Sequence, residues 1–191
     1  LHYPLRRQRQ MCIRDRTIAV RFPKNKIIRS LLKKLTFPLA IPSANISTGV
    51  SPTEPLDVVD EFKNKIKFIL NGGKSLIGLE STVINLSSKP AILRPGSISH
   101  TQIEKVLRKK VSNVTKSKFV ISPGMHKKHY SPGIPIKLNS IKPDYKAAFI
   151  VFGKKYKSNK YTFNLSKSGD IKEAARNLYK TLRKIKNFII C

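Results

Sequence analysis

The chain has 191 residues, of which 40% are hydrophobic and 26% charged, and 39 Lys and Arg against 10 Asp and Glu give a formal net charge of +29. Such a composition is globular and long enough to bury a core, which excludes a disordered polymer and a short disulfide scaffold. No apolar run reaches the length of a membrane span, and Cys12 and Cys191 are the two cysteines, so the expectation is a cytoplasmic protein without membrane contact.

Residues 1–16, "LHYPLRRQRQMCIRDR", hold five arginines and no lysine, whereas 28 lysines and six arginines follow from Thr17 onward. The abrupt change sets the segment apart: it resembles a translated sequencing adapter and is expected to be foreign to the fold. Removing its five arginines and Asp15 lowers the charge from +29 to +25, so the basic character persists. The lysines are scattered among Asn and Ile, which reads as compositional bias more than as a nucleic-acid footprint.

"TIAVRFP", Thr17–Pro23, alternates as a strand and stops at proline; "KIIRSLLKKL" puts Ile28, Leu31, Leu32 and Leu35 on one helical face. "FPLAI" is a candidate buried strand. It leads into the hydroxyl-rich "PSANISTGVSPT", where Ser51-Pro52-Thr53-Glu54 predicts a helix with Ser51 as N-cap, continuing through Leu56, Val59 and Phe62. "IKFIL" predicts a strand closed by the turn Asn71-Gly72-Gly73. "STVINLS" and "AILR" predict paired strands joined through Ser87-Ser88-Lys89-Pro90, and Ser99 with Gln102 predicts a second capping box.

Farther along, "SPGMHKKHYSPGIP", Ser122–Pro135, reads as a linker rich in proline and glycine. "AAFIVFG" is a strand of parallel-sheet type, and "DIKEAARNLYKTLRKI" is an amphipathic helix with Ile171, Ala175, Leu178, Leu182 and Ile185 on its apolar stripe. The expected organisation is a segment at 1–16, a domain at 17–120, a linker and lid at 121–142, and a further α/β domain at 143–191.

Groups suited to an anion stand at predicted strand ends and helix starts: Arg21, Ser43, Asn45, Ser51, Ser81, Thr82 and Arg94. Each also has an ordinary reading, Ser51 as a cap, Ser43 and Asn45 as turn formers, Arg94 as surface charge. In a chain that uses lysine almost everywhere, however, a retained arginine points to a place where a planar fork is needed, which raises Arg21 and Arg94. His126 and His129 have no third ligand nearby, so no metal site is predicted; no Ser-His-Asp set can be assigned, and Gly153-Lys154-Lys155 lacks the earlier glycine of a P-loop.

Taken together, "TIAVRFP", "PLAIPSANISTGVSPT", "GLESTVINL", "ILRPGSIS" and "SPGMHKKHYSP", in this order, resemble the YrdC-like threonylcarbamoyl-AMP synthases, and "EAARNLYKTLR" resembles a helix of the extra domain in two-domain members. The resemblance implies an α/β (α+β) fold: a twisted mixed sheet with helices, its N-terminal half missing here, followed by a partial Rossmann-like domain. It implies synthesis of threonylcarbamoyl-adenylate and pyrophosphate from L-threonine, bicarbonate and ATP. Mg²⁺ would be held mainly through the phosphates, and a tRNA-modifying threonylcarbamoyl transferase machinery would follow.

It gives Arg21, Ile41 and Ser81 to threonine and Ser43, Asn45, Ser51, Arg94 and Tyr130 to ATP, with the "HYSP" segment as a lid; no catalytic residue is assigned. Thr48 stands where many members have glycine. Lacking the first half of the sheet and a basic K-x-R-type motif, the chain as given is expected to be catalytically incomplete. Two other readings are a basic module for double-stranded RNA and the carbamoyl-transfer domain of hydrogenase maturation proteins; the "HYSP" segment and the "EAARNLY" helix speak against the second.

Overall fold

The structure, a computed structural model, describes residues 18–113, 130–144, 147–156 and 159–188. Segment 1–16, Thr17, the His126/His129 pair and both cysteines lie outside the described residues. The chain divides into two compact units, one of residues 1–38 and 81–126, the other of 39–80 and 127–191.

In the first unit, helix α1 (Lys26–Lys33) starts at Asn25, whose side chain accepts hydrogen bonds from the Ile27 and Ile28 N–H groups. Strands β1 (Val83–Asn85) and β2 (Ala91–Arg94) are antiparallel, as their alternation and the intervening Ser-Ser-Lys-Pro turn predict. Asn85 Oδ1 closes that turn by accepting from the N–H and hydroxyl of Ser87. Strand β3 (Ser112–Asn113) adds to β2 in parallel, so the three-stranded sheet is mixed.

Helix α3 (His100–Leu107) begins with the predicted box, Ser99 and Gln102 bonding reciprocally. It buries Ile103 against Ile92 and Val111, flanked by Ile84 and Leu107. Two side chains one turn apart on α3 then grip the backbone of Val111: His100 Nε2 lies 2.6 Å from its carbonyl, and Glu104 accepts its N–H at 3.0 Å.

In the second unit, helix α2 (Pro55–Phe62) is capped by Glu54 and Asp57, not by Ser51. The predicted box is displaced by three residues, and Pro55 gives the reason. Begun at Pro52, the helix would place Pro55 where the first internal N–H is required, and would force Glu54 into a conformation disfavoured before proline. With Pro55 at the first position Glu54 is extended (φ −147°, ψ 160°) and both conflicts disappear.

Strands β4 (Phe149–Val151) and β5 (Thr162–Asn164) pair in parallel, in accord with the apolar run "AAFIVFG". The long helix α4 (Ile171–Phe188) follows. Its inward face carries Ala174, Tyr179 and Ile185, whereas Ile171, predicted for the apolar stripe, is 76% exposed in the first turn. No helix among the described residues is long and apolar enough to cross a membrane.

Three predicted strands do not form among the described residues. Along Thr17–Pro23 the described residues form no ladder, and Ile18, Val20 and Phe22 are 80%, 84% and 88% exposed. "FPLAI" and "IKFIL" are likewise without regular structure, with Phe68 91% exposed. Hydropathy supplies a strand's face but not its partner; without a neighbouring ladder the backbone groups stay with solvent. In "FPLAI" Pro38 also removes a donor.

Gly78 is buried with φ +76°, and a Cβ there would meet the backbone of Arg176 in α4 at 2.6 Å. Gly73 has a similar φ, +78°, with nothing within 4 Å. Gly78→Ala is therefore expected to destabilise by about 2–4 kcal/mol, from strain plus displacement of α4, against about 1 kcal/mol for Gly73→Ala. Urea unfolding of the two variants measures the difference; equal midpoints would contradict the close approach.

Candidate functional site

The predicted site residues divide between the units: Arg21, Ser81 and Arg94 belong to the first, and Ile41, Ser43, Asn45, Ser51 and Tyr130 to the second. In the first unit the β1–β2 register shifts between Val83 and Ile84, which face Arg94 and Ile92. The irregularity admits Leu93 as an extra residue and re-aims the side chain beyond it. Arg94 then turns along the sheet edge, its Nε donating to the Ser81 carbonyl at 3.1 Å and its Nη2 to the Ser81 hydroxyl at 3.2 Å.

Next to it, the Thr82 hydroxyl donates to the Ile98 carbonyl and accepts the Ile98 N–H, tying down the turn that leads to α3. Two of the predicted residues, Ser81 and Arg94, are thus in direct contact. Arg21 is exposed on the irregular segment before α1.

In the second unit the hydroxyl-rich loop is a built turn. Asn45 Nδ2 donates to the carbonyls of Ile46 at 2.9 Å and Gly49 at 3.1 Å, and the Gly49 N–H returns to Ile46. Asn45 Oδ1 is buried with no hydrogen-bond partner among the described residues. Ile41 and Ser43 lie exposed at the loop's entrance, and Ser51, not being a cap, donates its hydroxyl to Glu80.

Across the loop lies the described part of the predicted linker, from Tyr130 onward. Ser131 donates its N–H to the Thr48 carbonyl at 2.9 Å and bridges with Gly49, while Tyr130 stacks on Tyr179 of α4 with centroids 5.7 Å apart. The predicted Ser43–Ser51 turn and the Tyr130 segment therefore meet.

Sequence reasoning missed the residues that hold this loop in place. Arg183 in α4, its side chain 17% exposed, donates to the Val50 carbonyl at 2.9 Å, to Glu61 Oε2 at 2.6 Å and to the Asp57 carbonyl at 2.8 Å. Its Nε stands 3.3 Å from Asp57 Oδ1. The argument from retained arginines, applied to Arg21 and Arg94, selects Arg183 equally and was the available signal. Glu80, the acceptor for Ser51, lies within the quoted "GLESTVINL" but carried no signal of its own. Among the described residues no group of three or more His, Cys, Asp or Glu could hold a metal ion.

Comparison with known proteins yields two family models. One of the Sua5/YciO/YrdC group, described as "Telomere recombination", matches residues 4–96, so the match enters the arginine-rich segment. The other, "Threonylcarbamoyl-AMP synthase, C-terminal domain", matches residues 98–191. A curated threonylcarbamoyl-AMP synthase of Pyrococcus abyssi is 37% identical over 87% of this chain and 54% of its own length. Those of Schizosaccharomyces pombe and Bacillus subtilis are 41% and 36% identical, over 62% and 67% of this chain and 31% and 38% of theirs.

Among solved structures, P. abyssi Sua5 complexed with L-threonine aligns with a TM-score of 0.59 and 31% identity, over 76% of this chain and 48% of that one. A variant of the same protein, with alanines at a His-Tyr pair, aligns with a TM-score of 0.69 and 30% identity, over 90% and 55%. The chain spans about half the length of the P. abyssi relative or less of the others.

Thr48 stands where the resemblance leads one to expect glycine. Its φ is +72°, a left-handed conformation that costs a β-branched residue of the order of 1–2 kcal/mol. The replacement is thus larger in conformational terms than its place in the motif suggests. Thr48→Gly is expected to raise stability by about 1 kcal/mol, read as a higher urea midpoint; a lower midpoint would show that the Thr48 side chain contributes more than its backbone costs.

Proposed function

The chain belongs to the family of two-domain YrdC-like threonylcarbamoyl-AMP synthases, and on that premise we propose that it serves the synthesis of threonylcarbamoyl-adenylate and pyrophosphate from L-threonine, bicarbonate and ATP, a nucleotidyl transfer that supplies tRNA modification. The observation that carries the reading is the meeting of the Ser43–Ser51 loop with the Tyr130 segment, two stretches far apart in sequence that the resemblance gives to ATP. The contact between Arg94 and Ser81, one assigned to ATP and the other to threonine, supports it further.

In the proposed reaction the amino group of threonine condenses with bicarbonate, releasing water, and the resulting carbamate presents an oxygen to the α-phosphorus while the bond to the β-phosphate breaks and pyrophosphate leaves. Negative charge grows on the α-phosphoryl oxygens, and the Arg94 guanidinium is the group of this chain suited to meet it. Arg21 would bind the threonine carboxylate in a two-pronged geometry, with Ile41 and Ser81 around the rest of the amino acid. Ser43, Ser51 and Asn45 would line the nucleotide, and the unpartnered Asn45 Oδ1 offers an acceptor to a ligand donor. Magnesium would arrive as part of the MgATP substrate, bound by phosphate and water.

The Tyr130 segment would act as the lid that keeps water from a labile adenylate. Its bond to Thr48 and the stacking of Tyr130 on Tyr179 fit that role.

Equilibrium binding tests the assignment in the chain itself. Arg94→Ala is expected to weaken ATP binding about tenfold or more, equivalent to about 1.4 kcal/mol, and Arg21→Ala to abolish threonine binding. A charge of +29 also leaves open a basic RNA-binding face, whose affinity would fall steeply with salt. Arg21→Ala separates the two readings, since it should hardly alter retention of duplex RNA. Unchanged ATP and threonine affinities in both variants would overturn the synthase assignment.

A further inference from the structure

The loop assigned to ATP is a turn closed by Asn45 and joined to its surroundings through Ser131 at Thr48 and Ser75 at Thr53. Three further anchors of its backbone lead to one side chain. Near the start, the Ile46 N–H donates to Glu61 Oε1 at 2.5 Å, and the other oxygen of that carboxylate receives Arg183 Nη1 at 2.6 Å. In the middle, the Val50 carbonyl accepts directly from the same Nη1 at 2.9 Å. At the end, Asp57 Oδ2 accepts the N–H groups of Thr53 at 2.7 Å and Glu54 at 3.1 Å, while Asp57 Oδ1 faces Arg183 Nε at 3.3 Å. Each carboxylate divides its oxygens, one toward the loop and one toward the guanidinium.

The side chains of Arg183, Asp57 and Glu61 are 17%, 16% and 13% exposed, so the charges are largely withdrawn from water. A planar fork with five donors on three nitrogens can meet two carboxylates and two carbonyls at once; an ammonium has three donors on a single nitrogen. Arg183 belongs to the segment matched by the C-terminal family model, whereas every group it holds belongs to the segment matched by the other.

We infer that Arg183 is a positioning residue for the Ser43–Thr53 loop: the last helix fixes the loop's backbone through Val50, Glu61 and Asp57, and so sets the aim of the groups that line the nucleotide. The clamp rests on this geometry; its consequence for ATP rests on the function proposed above.

The test compares the chain with Arg183→Met, Arg183→Lys and Glu61→Gln, following amide hydrogen exchange, thermal melting and ATP binding by calorimetry well below the melting point. In Arg183→Met the Ile46, Thr53 and Glu54 amides are expected to exchange at least tenfold faster and the ATP dissociation constant to rise about tenfold. The Phe149 and Leu165 amides of the β4–β5 pair, in the same unit but away from the clamp, keep their protection and report that this unit is intact. Arg183→Lys is expected to recover most of the melting temperature but little of the ATP affinity, a split that a purely structural role would not produce.

Should Arg183→Met fail to fold, Glu61→Gln decides, with faster exchange expected at Ile46 alone. Unchanged exchange at these amides, or recovery of stability and ATP affinity in parallel by lysine, would overturn the inference. If the unmodified chain binds no ATP, the proposed function falls, and the exchange rates still decide whether Arg183 clamps the loop.

Discussion

In the second unit the guanidinium of Arg183, set between Asp57, Glu61 and the Val50 carbonyl, constrains everything around it. Asp57 is also the residue that closes the cap of α2, so the same carboxylate starts a helix and receives an arginine from α4. Glu54, the partner in that cap, is approached by Lys74 at 3.5 Å and Lys180 at 3.6 Å. Helix α2, short and without a fully buried residue, is thus held less by apolar burial than by charge and backbone hydrogen bonds. Removing one member of such an arrangement leaves the others uncompensated, which makes it costly to break even where its net contribution to stability is modest.

The scarcity of acids gives this arrangement its weight. With 10 carboxylates against 39 basic side chains, self-repulsion opposes compactness, and few acids are left to exposed ion pairs. Lys137 with Asp144 is one such surface pair, of the kind worth less than about 1 kcal/mol. Glu61, Asp57, Glu104 and Asp170 instead accept backbone N–H groups, and Glu80 and Glu173 accept serine hydroxyls. Before α4, Ser166 is 1% exposed and donates to Glu173 at 2.5 Å, while Asp170 accepts the Lys172 and Glu173 N–H groups of the helix's first turn. The acids of this chain serve mainly as internal acceptors, and its excess of positive charge resides chiefly on exposed lysines.

What was legible in the sequence follows from how local each signal is. The box at Ser99, the Asn71–Gly73 turn and the β1–β2 hairpin are set by residues within a few positions of each other, and all three are present. The strands expected at "FPLAI" and "IKFIL" depend on partners that hydropathy does not name, and both are irregular. The cap of α2 lies between these cases: the right residue types occur twice in overlapping register, and only the cost of an internal Pro55 selects the second. Of the candidate site, the motifs named groups that the structure brings into contact, Arg94 with Ser81 and the Tyr130 segment with Thr48. Its support by Arg183 was not legible, because that contact joins residues 133 positions apart.

The use of arginine in a lysine-rich chain bears on how such sites are found. Arg94 binds the Ser81 carbonyl and hydroxyl, Arg176 Nε donates to the Leu76 carbonyl at 3.0 Å, and Arg183 meets two carbonyls and two carboxylates. In all three the guanidinium serves a backbone carbonyl from a fixed direction, which a planar donor array does at lower entropic cost than a rotating ammonium. Arg29 instead lies 5.7 Å over the Phe22 ring, where its flat delocalised cation is again the relevant property. Retention of arginine therefore identifies places where direction matters, whether the acceptor is a ligand or the protein's own backbone. Arg94 is distinguished by the strand irregularity beside it and by its hold on Ser81, and Arg183 by the carboxylates that withdraw it from water, an arrangement that suits the fixing of a loop.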